Sequence, residues 1–283
     1  MRESTPTSPI VSSAETMREQ DEFLREAFLT NQQNALGVVN AEIARLQRMV
    51  LGQYPDPQTK TEAGRNEALF FLQEYSLRKS EFFFRKHGLS ELADRLPASV
   101  HSDSSKAERP EIKTWFERGY RRMLVVPPSA SDFHARLRDR LIPSADLSPN
   151  VSASFPNGIV TVDANRRDRS YLLLTNPDII LHPGSRGKTA IQLNKKFSEE
   201  GLCGLTLVDF LLEEQLHLDE TGKHLIDRIE AEGTSWLLGS TDKDGRYLYG
   251  VWNTSKAQIR LGADAPTDRF PALGARSAVV IPL

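Results

Sequence analysis

From Ala14 to Gln53 the chain contains no proline, and apolar residues recur at Leu24, Phe28, Leu36, Val39, Ile43, Leu46 and Val50. Steps of three and four residues bring most of them to one helix face, so the segment predicts a long amphipathic helix, interrupted near Gly37. Pro55 and Pro57 flank Asp56, disfavour helix and predict a turn over Gly52 to Lys60. A return arm is expected from Thr61 to His87, presenting Ala68, Leu69, Leu72, Tyr75, Phe82 and Phe83 to the first helix and stopping at Gly88. The predicted unit is a helical hairpin. A short helix over Ser90 to Leu96, an exposed polar loop over Pro97 to Pro110, and helices over Ile112 to Met123 and Ser131 to Leu141 complete the expected helical half.

Beyond residue 142 the pattern changes. Pro143 to Pro156 reads as a Pro/Ser/Asn/Asp connector, and short β-type runs follow at Gly158 to Val162, Ser170 to Thr175, Ile179 to Leu181, Tyr247 to Trp252, Gln258 to Leu261 and Ser277 to Ile281. Two helices are expected among them, Thr189 to Phe197 and Thr206 to His217, the second opened by a capping-box-like Thr206 and Asp209. The fold class predicted is α+β: an N-terminal helical hairpin or bundle (14–142), a linker (143–157) and a smaller mixed α/β domain with mostly antiparallel strands (158–283), preceded by a disordered tail (1–13).

Composition narrows the function classes. With 283 residues, 39% of them hydrophobic and 26% charged, the chain is expected to fold and is long enough for two domains. A net charge of −2 supplies no global positive field for gathering phosphates. Cys203 is the single cysteine, which excludes an intramolecular disulfide and a cysteine-rich zinc site. No run of apolar residues reaches membrane-spanning length, and Met1 to Ser13 lacks the apolar centre of a secretory signal. The expectation is a soluble cytoplasmic protein with no membrane partner, no cofactor and no metal.

Several strings invite chemistry. His182 to Thr189, with Arg186, Gly187 and Lys188, resembles a phosphate loop, but the template needs glycine where His182 stands, which makes it a basic turn ahead of a helix. Glu213, Glu214, His217, Asp219, Glu220 and His224 gather metal-type ligands, and Glu214 with His217 has the spacing of a di-iron helix; no second Glu-x-x-His follows, so the segment reads as a solvated helix end. Cys203 reads as a small buried hydrophobe. Arg118, Arg121, Arg122, Arg136, Arg138 and Arg140 lie among Trp115, Phe116 and Tyr120, a mixture suited to phosphate pairing and base stacking, though Glu117, Asp132 and Asp139 dilute it.

The closing stretch carries Trp236, Gly245, Tyr247, Tyr249, Trp252 and Asn253, and then Gly274, Arg276 and Val280 in a Gly-x-Arg-x-x-x-Val strand. It resembles the final strands of C-type-lectin-like domains. The family's calcium pair is not met, because Thr254 stands where its Trp-Asn-Asp signature has an acid, and Asn176-Pro177-Asp178 lies too far upstream for its sugar motif. The resemblance therefore implies closing strands and no calcium-dependent sugar site. The layout as a whole is also similar to bacterial proteins without an assigned activity. Read from the residues alone, Trp236, Tyr247, Tyr249 and Trp252 are cross-strand packers and Asp244-Gly245 is a hairpin turn.

The function expected is a binding or protein-interaction module with the helical hairpin as partner surface, through a protein partner or self-association. The alternatives are an enzyme with a polar site in the C-terminal half, drawn from His182, Arg186, Lys188, Asp209, His217 and Arg276, and a nucleic-acid binder using the basic 113–140 segment. Trp252 joins the first set as a ligand-binding candidate.

Overall fold

The computed structural model describes residues 32–55, 61–100, 110–128, 133–155, 157–177, 181–225, 234–253 and 255–283. The expected tail, the first part of the long helix, most of the 97–110 loop and most of the 179–181 strand lie outside them.

Helix α1 (Gln32–Val50) runs through Gly37 without a break. Gly37 is exposed, and a lone glycine there costs about 1 kcal/mol of helix propensity, which packing elsewhere on the helix outweighs. Helix α2 (Glu62–Lys86) starts where the Thr61 side chain accepts from the Gly64 amide, and Gly88, at φ +68°, lets the chain turn away after it. Val39, Ile43, Leu46 and Val50 pack with Ala68, Leu69, Leu72 and Tyr75 in one core. The part of the apolar stripe from Val39 to Val50 is thus covered within the chain, and Leu24 and Phe28 lie outside the described residues.

Shorter helices follow: α3 (Ser90–Ala93) and α4 (Pro110–Glu117). The helix expected over Ile112 to Met123 ends at Glu117, and Arg122–Val126 is a strand, β1. After α5 (Phe133–Leu141), the expected linker carries β2 (Asp146–Leu147) and α6 (Pro149–Ser154). Then come β3 (Val160–Thr161), α7 (Ala164–Asp168), β4 (Tyr171–Thr175), α8 (Ala190–Glu199), β5 (Cys203–Gly204) and α9 (Leu207–Thr221). The chain closes with β6 (Ser235–Thr241), β7 (Tyr247–Asn253), β8 (Gln258–Asp264), β9 (Gly274–Ala275) and β10 (Ser277–Pro282). The architecture is α+β, with helices leading into antiparallel and mixed sheets.

One sheet has the order β1-β4-β10-β5, antiparallel throughout, and the other the order β2-β8-β7-β6-β3, with β9 parallel to β6. Because β1 pairs with β4 from Arg122↔Thr175 to Val126↔Tyr171, a hydrogen-bonded ladder crosses the boundary expected at 143–157. The first sheet is buried on both faces. Met123, Val125, Leu172 and Leu174 face the hairpin core, whereas Leu124, Val126, Tyr171 and Leu173 face a second core with α5 and α9. Arg276 is the one residue between β9 of one sheet and β10 of the other, so the crossover from sheet to sheet carries a buried guanidinium.

The two capped helices start as their sequences predict. Thr189 with Gln192, and Thr206 with Asp209, each form a reciprocal capping box. Asp242 to Arg246 closes the β6–β7 hairpin with Gly245 at φ +77°, and Trp236 stands opposite Tyr249 with the rings edge-to-face.

Candidate functional site

Three elements meet at a charged seam: α2, the first residue of β1, and the last turns of α9. Lys79 lies three to four residues from Tyr75, Ser76, Phe82 and Phe83, so the inward face of α2 carries an ammonium that is 7% exposed. It pairs with Glu220. Arg122 donates to Glu213 at 3.2 Å and to Glu220 at 2.9 Å, and its Nη2 lies 3.3 Å from His217 Nδ1. Arg276 enters from the sheet crossover, 3.9 Å from Glu213, and donates to the Asn176 carbonyl at 3.4 Å. Burial, and then the charges of Arg122 and Arg276, push the His217 pKa down, so the imidazole favours its neutral form. Burial likewise draws the Arg276 guanidinium below its ordinary pKa.

The seam opens onto a cleft of about 480 Å³. One wall is α1, with Asn40, Ile43, Ala44 and Gln47; the other is Arg121, Arg122 and Met123, with Lys79, Glu220 and Pro177 completing it. Gln47 donates to the Arg121 carbonyl at 2.7 Å and so fixes α1 to the entry of β1.

Next to the seam, Asp219 accepts from His87 at 2.8 Å and from Lys86 at 2.8 Å. Burial pushes its carboxyl upward, but these bonds outweigh that and hold it down, from 3.8 to about 2. A depressed carboxylate contributes stability above its unfolded pKa and loses it as pH falls through the folded one. Asp219→Asn is therefore expected to be less stable than the parent near pH 6, with the gap closing between about pH 4 and pH 2; acid titrations followed by circular dichroism check this. A gap that persists at pH 2 would show that the loss is not electrostatic.

Of the residues expected to share a site, His217 and Arg276 come together around Glu213, joined there by Arg122 of the basic segment. The others do not join them. His182 pairs with Glu200 at 3.1 Å and packs edge-on to Phe197. Arg186 is exposed in the same turn, and Lys188 precedes the Thr189 cap. The backbone N–H groups of His182, Ser185, Gly187 and Thr189 already donate to Ala275, His182, Leu273 and the Gln192 side chain, which leaves that loop with few amides to turn toward a phosphate. Trp252 stacks on His224 at 3.3 Å, and His224 Nδ1 lies 2.6 Å from Glu214. Asp209 belongs to a separate buried group with Arg166 and Tyr171.

The six arginines of the basic segment are divided. Arg122 is buried and paired, Arg118 lies over Trp115 at 4.2 Å, and Arg121 donates through Nε to the Phe116 carbonyl. Arg136 pairs with Glu91, Arg138 with Asp139 while covering Phe155, and Arg140 is exposed beside Gly88. The Cys203 thiol donates to the Ala278 carbonyl, and burial pushes its pKa up to about 11, far from a reactive thiolate.

No protein-family model, curated protein or solved structure matches this chain. The C-type-lectin-like reading of the closing strands thus stands on those residues alone. Among the described residues, no three His, Cys, Asp or Glu side chains gather as a metal site, and no helix is long and apolar enough to cross a membrane.

Sequence reasoning missed Lys79 and the α1 wall. A signal for Lys79 was present, since a lysine on the apolar face of a helix needs a buried partner or an outlet to solvent. Asn40, Ala44 and Gln47 gave none, because polar and small residues beside an apolar stripe are what any helix flank shows.

Proposed function

We propose that the chain is a binding module whose ligand is a small molecule held in the cleft between the helical hairpin and the start of β1. The observation that carries this reading is the cleft itself: about 480 Å³, bounded by apolar Ile43, Ala44, Met123 and Pro177 and by polar groups that rigid elements hold in place. That volume lies within the roughly 300–1,000 Å³ usual for ligand sites, and the mixture of apolar walls with a few convergent polar groups is their usual composition. The hairpin is then a working surface as well as a scaffold, since α1 supplies one wall.

Ala44 gives a direct test. It is exposed, so Ala44→Trp fills the cleft without entering the core. Fragments of mixed charge bound by the parent, detected by saturation-transfer NMR, are expected to bind the variant about tenfold more weakly or worse, with an unchanged melting temperature. Fragments that bind both proteins equally would place binding elsewhere and overturn the proposal.

A further inference from the structure

We infer that the cleft selects a small anion, a molecule with a carboxylate or phosphate group and at least one hydroxyl, received by Arg121 at the mouth and by Asn40 on the α1 wall. This rests on the binding reading above and adds the chemical class.

The argument begins with charge. Lys79, Arg121 and Arg122 line the cleft, and Glu220 is the single acid among its lining residues. Behind the lining stand Arg276 and Glu213. The two carboxylates are each shared: Glu220 between Lys79 and Arg122, and Glu213 between Arg122 and Arg276. Of the neighbouring acids, Glu214 is held by His224 and the Leu225 amide while its charge also acts on Arg276, and Asp219 accepts from Lys86 and His87. Burial and the neighbouring guanidiniums disfavour a charge on His217. With Glu214 counted, the carboxylates Glu213, Glu214 and Glu220 match the buried cations Lys79, Arg122 and Arg276, and Arg121 at the mouth is the cation left over for a ligand.

Unused hydrogen-bonding capacity points the same way. Arg276, 2% exposed, keeps Nε and Nη1 without an acceptor among the described residues, a measure of how short of acceptors the seam is. At the mouth, Arg121 uses Nε on the Phe116 carbonyl, and its two Nη groups make no hydrogen bond or ion pair among the described residues. These groups form the planar fork that suits a carboxylate or a phosphate. Gln47 fixes the backbone of the same residue, so the fork rests on a held chain. On the opposite wall, Asn40 Oδ1 is buried and has no donor among the described residues; turned toward the cleft, it would accept from a ligand hydroxyl.

The test is calorimetric titration of the full chain with inorganic phosphate, glycerol phosphate, malate, succinate, glycerol and putrescine. Phosphate esters or carboxylates are expected to bind saturably, the phosphate and carboxylate arms deciding between the two sources of charge. Arg121→Gln is expected to weaken that binding by about tenfold or more, the order of one lost charge-assisted hydrogen bond, and Arg121→Lys, which keeps the charge without the fork, to restore only part of it. Malate is expected to bind more tightly than succinate because it carries the hydroxyl. Putrescine or glycerol binding as well as the anions, anion binding that ignores Arg121→Gln, or no saturable anion binding would each overturn the inference. Neutral fragments blocked by Ala44→Trp while anions fail to bind would leave the cleft reading standing and remove this one; if Ala44→Trp blocks nothing, both fall.

Discussion

Asp209→Asn is expected to lower the unfolding free energy by about 3–5 kcal/mol, the cost of leaving a buried charge without its counter-ion. Asp209 is fully buried. Its Oδ2 accepts from Arg166 Nη1 at 3.0 Å and from the Thr206 amide at 2.8 Å, and its Oδ1 accepts from the Tyr171 hydroxyl at 2.6 Å. Arg166 also donates to the Gly204 carbonyl and is 2% exposed; its other carboxylate, Asp163, is itself exposed, so Asp209 is the buried counter-ion. Asparagine keeps the shape and the helix cap, since its oxygen can turn toward Arg166 and Thr206 while its amide faces Tyr171. What it removes is the charge. Urea unfolding of Asp209→Asn, Arg166→Met and the double variant should show the pair coupled by about 1–3 kcal/mol, because each single change strands the other partner. A loss below about 1 kcal/mol for Asp209→Asn would mean that Asp163, 3.4 Å from Arg166 Nε, suffices as counter-ion.

Leu46→Asp is the second large effect. Leu46 is 1% exposed in the hydrophobic core between α1 and α2, and an aspartate at that point is expected to cost about 3–5 kcal/mol. Ile43→Asp, one turn earlier, is expected to cost clearly less. Ile43 lines the cleft that also holds Lys79 and Arg122, and the new carboxylate can approach them and the solvent. Thermal unfolding of the two variants checks the contrast. Equal losses would show that the cleft cations do not reach position 43, and an unchanged melting temperature in Leu46→Asp would mean the helices do not pair through this face.

Much of the fold was legible because its signals are local. Thr61, Thr189 and Thr206 each cap the helix that follows, and a cap acts within one turn of its own residue. The stripe from Val39 to Val50 and its cover on α2 follow from a period of 3.6 residues and a short turn. Strands β4, β7, β8 and β10 are short runs with apolar residues bounded by the turn residues that mark strands. The expected helix takes in the first two residues of β1, and no strand is expected there, because Arg122 to Val126 is buried on both faces of its sheet. A strand covered on both sides loses the alternation that distinguishes it, and a short apolar run is then ambiguous between helix and strand. Strand β6 was missing from the expected strands for the same reason: its first six residues are all buried.

The candidate site divides along the same line. The sequence determined by itself that acids and a histidine crowd the end of α9 and that Arg122 and Arg276 exist to meet them, but not that they meet. Residues 79, 122, 213, 220 and 276 are brought together by the docking of α2 on β1, by the pairing of β4 with β1 and with β10, and by the crossover at Arg276. Those are contacts between residues tens to hundreds of positions apart, and nothing in the local pattern of charges records them. Helix starts, turns and apolar faces are set by energies that act over a few residues, so they can be read from the chain. The side chain a buried charge faces, and the wall a cleft acquires, depend on which elements the tertiary packing lays side by side.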